Sequence, residues 1–429
     1  MPKCENCKTR DAQVRLAGLV NGRPEAHLYC EACAGEVMRG AISLEANEGA
    51  PMNDLAGSPI TRLARPATLA MEPYVWEAAN QEVAARYHLD PSAVVRFDTN
   101  TSPFPPPCLE AVLEQARRVP DVNEYFDGSY AALAAELAAY TGLSPAHLVI
   151  GAGADEMLDV IAKTFLNPGD RVVVPTPTYA MYRIVSQIMD ANVTAVPATP
   201  DLSFNVDALI AAAVGAKALF LCNPNNPTGL ALPSVEVARL VRGVECLVVV
   251  DEAYFEFTGE SAAPLIAENP RLIVVRTLSK AFALAGARVG YALCAPETAA
   301  LVNRMRPPNS VSYISALLAE AAMRDLPSMR ENVSRLIEER GWFSAALQDL
   351  GAVVTPSRVN FVLTRWPSPD AAGRAAESAL RQGLVPRTYT GHPILAPYLR
   401  LTVRTRAENE ALLAALGAVA LAGADRASG

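Results

Sequence analysis

Six short apolar runs, alternating with amphipathic stretches, set the strongest limit on how this chain can fold. The runs are HLVIGAGA (147–154), DRVVVPTP (170–177), ALFLCNP (218–224), CLVVVDEAY (246–254), RLIVVRTLSK (271–280) and VGYALCA (289–295). A segment such as SYAALAAELAAYTGL (129–143) reads as a helix between strands. Strands alternating with helices predict an α/β fold with a mainly parallel sheet covered on both faces. After a helix-rich passage, NFVLTRW (360–366) and YLRLTVR (398–404) return as strands, which predicts a smaller C-terminal α/β domain.

About half of the 429 residues are hydrophobic, enough for a large core in two or three domains. The formal net charge of −8 argues against a nucleic-acid surface. No apolar run is long enough to span a bilayer, so no membrane partner is expected. The opening MPKCENCKTR lacks an apolar export segment, which predicts a cytoplasmic protein. Eight cysteines in that setting point to thiols or a metal, not a disulfide framework.

Residues 1–36 stand apart. Cys4 and Cys7 form one CxxC pair, Cys30 and Cys33 another, with 22 residues between them. Four thiolates in two such pairs suit a closed tetrahedral zinc site, structural and not catalytic, in a small ribbon-like module with one zinc per chain. The alternatives are redox-active pairs, or a metal site that uses fewer than four of the cysteines. Residues 37–70, with glycine, proline, serine and asparagine and no sustained periodicity, read as a linker holding at most one short helix.

In parallel sheets, ligands gather beyond the carboxyl ends of the strands, so each exit is informative. GAGADE (151–156) opens a helix whose free N–H groups suit an anion. PTPTYAMY (175–182) carries Tyr179, and NPNNPTG (223–229) is a tight turn rich in amides. VVVDEAY ends a very apolar strand in Asp251, with Tyr254 three residues on. TLSK ends in Lys280, a lysine at a seam where burial is costly. Taken together, these exits assemble an amine nucleophile, a buried acid, an aromatic ring and a phosphate cradle completed by Arg288. Those are the parts that bind pyridoxal 5′-phosphate.

TLSKAFALAGARVGY, NPNNPTG, VVVDEAY, PTPTYAMY and GAGADEM together resemble the fold-type I, class I/II aminotransferases, and their wording is most similar to the histidinol-phosphate aminotransferase branch. The similarity runs from about residue 90 to about residue 420 in the expected order. It implies residues 71–310 as an N-terminal arm and large cofactor-binding domain, and 311–429 as the small domain. By the same resemblance Lys280 would hold the cofactor covalently and then carry a proton, and Asp251 would face the ring nitrogen. Asn226 and Tyr254 would bond the ring 3-oxygen, and Tyr179 would stack on the ring. Thr277, Ser279, Arg288 and the backbone at Ala154 and Asp155 would hold the phosphate. Tyr125, in NEYFDGSY, matches a tyrosine that reaches the neighbouring subunit's phosphate, which implies a homodimer.

For substrate, an amino donor and a 2-oxo acid, the resemblance implies a carboxylate clamp at Arg400, a phosphate contact at Arg387 and a rim residue at Asn360. Surface solvation is the alternative for Arg387 and Asn360. The sequence departs from the branch at DTNTSPF (98–104), which keeps Asn100 but lacks the usual following glutamate. It departs again at Arg404, where glycine is usual. Both places are expected to shape the substrate pocket. The implied activity is histidinol-phosphate:2-oxoglutarate amino transfer. The alternatives are an aromatic or other amino-acid aminotransferase, an amino-acid-phosphate decarboxylase, or a regulator that kept the cofactor domain as a sensor. CENCKTRDAQVRLAGLVNGRPEAHLYCEACA also resembles the zinc-binding segment of bacterial protein-quality-control adaptors, which implies a protein partner for that segment. Cys108, Cys222, Cys246 and Cys294 read as packing thiols.

Overall fold

A computed structural model describes residues 14–20, 23–29, 59–71, 78–117, 123–125 and 127–424. It divides the chain into two compact units, one of residues 1–64 and 72–92 and one of residues 65–71 and 93–429. In the first unit, β1 (Val14–Val20) and β2 (Arg23–Tyr29) form an antiparallel hairpin, and Asn80–Tyr87 is a helix. In sequence the hairpin lies within the interval between the two CxxC pairs. Cys4, Cys7, Cys30 and Cys33 themselves lie outside the described residues, and among the described residues there is no cluster of metal ligands.

Beyond residues 65–71, the second unit continues with β3 (Val95–Arg96) and contains a seven-stranded sheet. Its strands are β4 (Leu148–Gly151), β5 (Arg171–Thr176), β6 (Asn192–Pro197), β7 (Ala218–Cys222), β8 (Leu247–Asp251), β9 (Leu272–Thr277) and β10 (Gly290–Cys294). Their spatial order is β4-β10-β9-β8-β7-β5-β6. Five neighbouring strands run parallel, and β10 runs antiparallel to both β4 and β9. The sheet is therefore mixed: β9 returns directly into β10 through the Lys280 segment, with no helical crossover to make the pair parallel.

The valine-rich runs are buried on both faces, as a covered parallel sheet requires. Along β8, Val248 and Val250 pack into one layer with Val274 and Leu221, and Val249 packs into the other with Val275 and Phe220. The strand β6 has no such run. It lies at the sheet edge, half-exposed, which is why NVTAVP shows no continuous apolar signal.

A second sheet is wholly antiparallel: β11 (Val353–Thr355), β12 (Phe361–Arg365), β14 (Arg387–Thr388) and β15 (Tyr398–Thr402), in the order β11-β12-β15-β14. The short β13 (Leu384–Val385) pairs instead with β3. Residues 66–70, within the expected linker, form one helical turn that lies against the helix Met181–Ile188. No helix among the described residues is long and apolar enough to cross a membrane. Cys222, Cys246 and Cys294 are buried free thiols, and Cys108 is a half-buried one.

Candidate active site

The register aligns the strand exits. Cys222 lies opposite Asp251, Asp251 opposite Val275, and Gly290 opposite both Gly151 and Thr277. The carboxyl ends of β4, β7, β8 and β9 thus form one rim. On it, Lys280 is half-buried, and its Nζ donates to the Thr99 carbonyl at 3.2 Å. Burial, reinforced by the charges of Arg400 and Arg288, lowers its ammonium pKa to about 8 against the opposing pull of Asp155 and Asp251. A larger share of the amine is then neutral at pH 7 than for an ordinary lysine.

Asp251 is almost wholly buried. It accepts from the Tyr182 hydroxyl at 2.8 Å and from the Ala253 N–H at 3.0 Å. Burial pushes its carboxyl up to about 6 even with those two bonds. Among the described residues no lysine or arginine pairs with it. A buried carboxylate served by two neutral donors and no cation fits a ligand that brings a positive ring nitrogen.

The anion end is built on glycine. Gly153, with φ of +88°, begins the helix Gly153–Phe165, and a Cβ there would lie 2.6 Å from Arg288 Nη2. A Cβ on Gly290 would lie 2.3 Å from the Gly153 carbonyl carbon, so β10 can pass this close to the helix start only without a side chain. Thr277 and Ser279 are buried with their hydroxyls 2.9 Å apart. Arg288 is held by Asp155 at 3.1 Å, and Asp155 also accepts from the Tyr179 hydroxyl at 3.0 Å. Helix N–H groups, two hydroxyls and an arginine make this a phosphate-shaped cradle.

The second sheet closes the rim. Arg400 donates to the Asn226 side-chain oxygen and to the Asp98 carbonyl, and its Nε is buried without a partner. Asn100 Nδ2 donates to the Tyr254 hydroxyl at 2.9 Å, and Asn360 Nδ2 donates to the Asn100 carbonyl at 2.9 Å. Asn360 is only 1% exposed, so the surface reading fails for it. Arg387 is half-buried on β14, directly opposite Arg400 on β15, so both project from the same face of the sheet.

Most of the expected residues are therefore brought together. Tyr125, expected at the neighbouring subunit's site, is 91% exposed. Arg404, expected to shape the pocket, pairs with Glu408 at 2.9 Å and donates to the Arg96 carbonyl at 3.3 Å. Tyr182 is a residue the sequence reading passed over. It lies three positions after Tyr179, fully buried and stacked on Phe220 at 5.6 Å. It sits in the first turn of the helix Met181–Ile188, and its large aromatic side chain shortly after a strand exit was the available signal.

A model of the family described as aminotransferase class I and II matches residues 92–416. This chain belongs to that family. Among curated proteins, the histidinol-phosphate aminotransferase of Roseiflexus castenholzii is 35% identical over 368 residues, covering 84% of this chain and 99% of that one. The protein of the same name from Shewanella amazonensis is 35% identical, covering 83% of this chain and 95% of its own. Among solved structures, the histidinol-phosphate aminotransferase of Sinorhizobium meliloti in complex with pyridoxal 5′-phosphate superimposes with a TM-score of 0.77 at 27% identity. It covers 84% of this chain and 98% of that one. The fold is the fold-type I aminotransferase architecture, and the chain is an aminotransferase.

Proposed function

We propose that this enzyme is a pyridoxal 5′-phosphate-dependent histidinol-phosphate:2-oxoglutarate aminotransferase. The observation that carries the substrate assignment is the Arg387–Arg400 pair, two arginines facing one another on the sheet that closes the site. Histidinol phosphate has a phosphate and no carboxylate, whereas glutamate has two carboxylates. One pair of arginines can accept either anion in turn. The shared name of the curated relatives supports the same reading.

When bound, the cofactor supplies an electron sink for the bond being broken at the substrate Cα. The chain's own residues do the rest. Lys280 would hold the cofactor and afterwards move a proton at Cα. Asp251, held in place by Tyr182, would offer a negative charge to the ring nitrogen. Tyr254, which accepts from Asn100, would donate its own hydroxyl proton to the ring oxygen. Thr277, Ser279, Arg288 and the start of the helix at Gly153 would take the phosphate, and Tyr179 would pack on the ring. We assign Tyr125 to the neighbouring subunit's site in a homodimer.

Arg387→Ala is expected to raise KM for histidinol phosphate by about 10–100-fold, the loss of one or two charge-assisted bonds, while KM for glutamate rises less, because Arg400 remains to hold a carboxylate. Steady-state kinetics with both donors measure this. Equal losses would point to a donor without phosphate, and release of carbon dioxide from an amino-acid phosphate would point to a decarboxylase.

We further propose that Cys4, Cys7, Cys30 and Cys33 hold a structural zinc ion. Metal analysis of the full chain should give about one zinc, falling towards zero in a Cys4→Ser/Cys7→Ser variant. Transamination should persist in that variant, since every residue assigned above follows residue 98. Zinc-free protein from a zinc-replete preparation would overturn the assignment.

A further inference from the structure

We propose that the buried Glu252–Arg276 ion pair is a positioning device for the active site, acting from the opposite face of the sheet. The inference rests on the aminotransferase reading of the Lys280 site.

Glu252 directly follows Asp251, and Arg276 directly precedes Thr277. Successive residues of a strand point to opposite faces. Asp251 lies over the layer of Val249, Val275 and Tyr182, whereas Arg276 follows Val274 into the layer of Val250 and Tyr291. Both partners are almost completely buried. Arg276 Nε and Nη2 lie 3.0 and 2.9 Å from Glu252 Oε2. Nη2 also donates to Ser261 Oγ at 2.7 Å, and Ser261 Oγ donates back to Glu252 Oε2 at 2.8 Å. The second oxygen, Oε1, accepts from the Ala262 N–H at 2.6 Å. The guanidinium is capped by the Phe255 ring, 3.7 Å away. Each partner is thus held by several bonds of fixed direction.

A buried ion pair is a poor source of stability, because desolvation offsets its attraction and apolar side chains of similar volume often do as well. A planar fork on a carboxylate does impose geometry. Here it joins the residue just after β8 to the penultimate residue of β9, and the two backbones are already tied by the Glu252 N–H donating to the Val275 carbonyl at 2.8 Å. One of those ends presents the acid Asp251. The other runs straight into Thr277, Ser279 and Lys280. The pair therefore fixes the spacing between the acid and the amine, and both are needed on the same ligand at once.

The test uses the full-length, cofactor-loaded protein and three readouts: thermal midpoint, the kcat and KM of transamination, and the pH midpoint of the visible absorbance of the bound cofactor. Glu252→Gln and Arg276→Lys should lower kcat by about 10–100-fold, the cost of a misplacement of about 1 Å, with KM for the donor little changed and the absorbance midpoint displaced. The apolar double variant Glu252→Leu/Arg276→Met should keep a thermal midpoint close to wild type yet show the same kcat loss. Ser261→Ala should give a smaller loss in the same direction. If the single variants fail to fold, the double variant and Ser261→Ala decide. A double variant with wild-type kcat and absorbance midpoint would overturn the inference and leave the pair as packing alone. A wild-type protein that transaminates no donor would instead defeat the functional reading, and the absorbance midpoint would still report on the positioning.

Discussion

Lys280→Ala is expected to abolish transamination, with kcat lower by about 10⁴-fold or more, the upper range for losing a positioned proton carrier. The substitution removes both the amine that holds the cofactor and the group that moves the proton. Among the described residues no other lysine is placed to replace it: Lys163 is paired with Asp159 on the outside of a helix and Lys217 is exposed. Lys3 and Lys8 lie outside the described residues. The phosphate cradle is untouched, so the variant should still bind the cofactor, but dialysis should remove it. In the wild type, loading of cofactor-free protein should quicken as pH rises towards about 8 and level off above it, because the neutral amine is the nucleophile. Turnover by the variant within tenfold of wild type would show that the amine does not carry the reaction.

Asp251→Asn should lower kcat by about 10²–10³-fold, the usual loss when one preorganised electrostatic partner is removed. It should leave the cofactor bound, since the phosphate contacts lie elsewhere. The same variant makes an opposite prediction for the cofactor-free protein. Burial raises the Asp251 carboxyl to about 6, from 3.8 for an unperturbed group. The unfolded chain therefore releases this proton first as pH rises. Folding stability falls between those two values and stays at its lower level above about 6. An asparagine never ionises, so cofactor-free Asp251→Asn should melt above the wild type at pH 7–8 and draw level near pH 4. Thermal melts across that range measure it. A variant less stable than wild type at every pH would mean that the lost hydrogen bonds from Tyr182 and Ala253 outweigh the relieved charge.

The strand exits were legible because each couples a strong local signal to a chemical one. VVVDEAY is a buried run ending in an acid, and TLSK a buried run ending in an amine. Neither residue type belongs there unless something answers its charge. What was not legible were the partners. Asn100 meets Tyr254 across 154 positions, Asn360 meets Asn100 across 260, and Arg400 meets Asn226 across 174. Periodicity assigns a residue to a face, and it says nothing about which element that face will meet. Arg404 is a different case, because its partner is local. As a departure in a pocket-forming segment it was expected to alter the pocket, and the fold gave it Glu408, four residues along the same stretch. β6 escaped notice for a related reason, since an edge strand need not be apolar on both faces.

The sequence by itself determined the alternation of strands and helices, the nature of the groups at the strand ends, and through their order the family. Those are properties of local pattern, set by burial and by the chemistry each side chain can perform. Only the tertiary structure decided that β10 turns back antiparallel, that Tyr182 serves Asp251, that Arg387 stands opposite Arg400, and that Glu252 and Arg276 clasp behind the site. Each of these depends on distant segments being brought within a few ångströms. That is an outcome of packing the whole chain, and no short stretch of sequence encodes it.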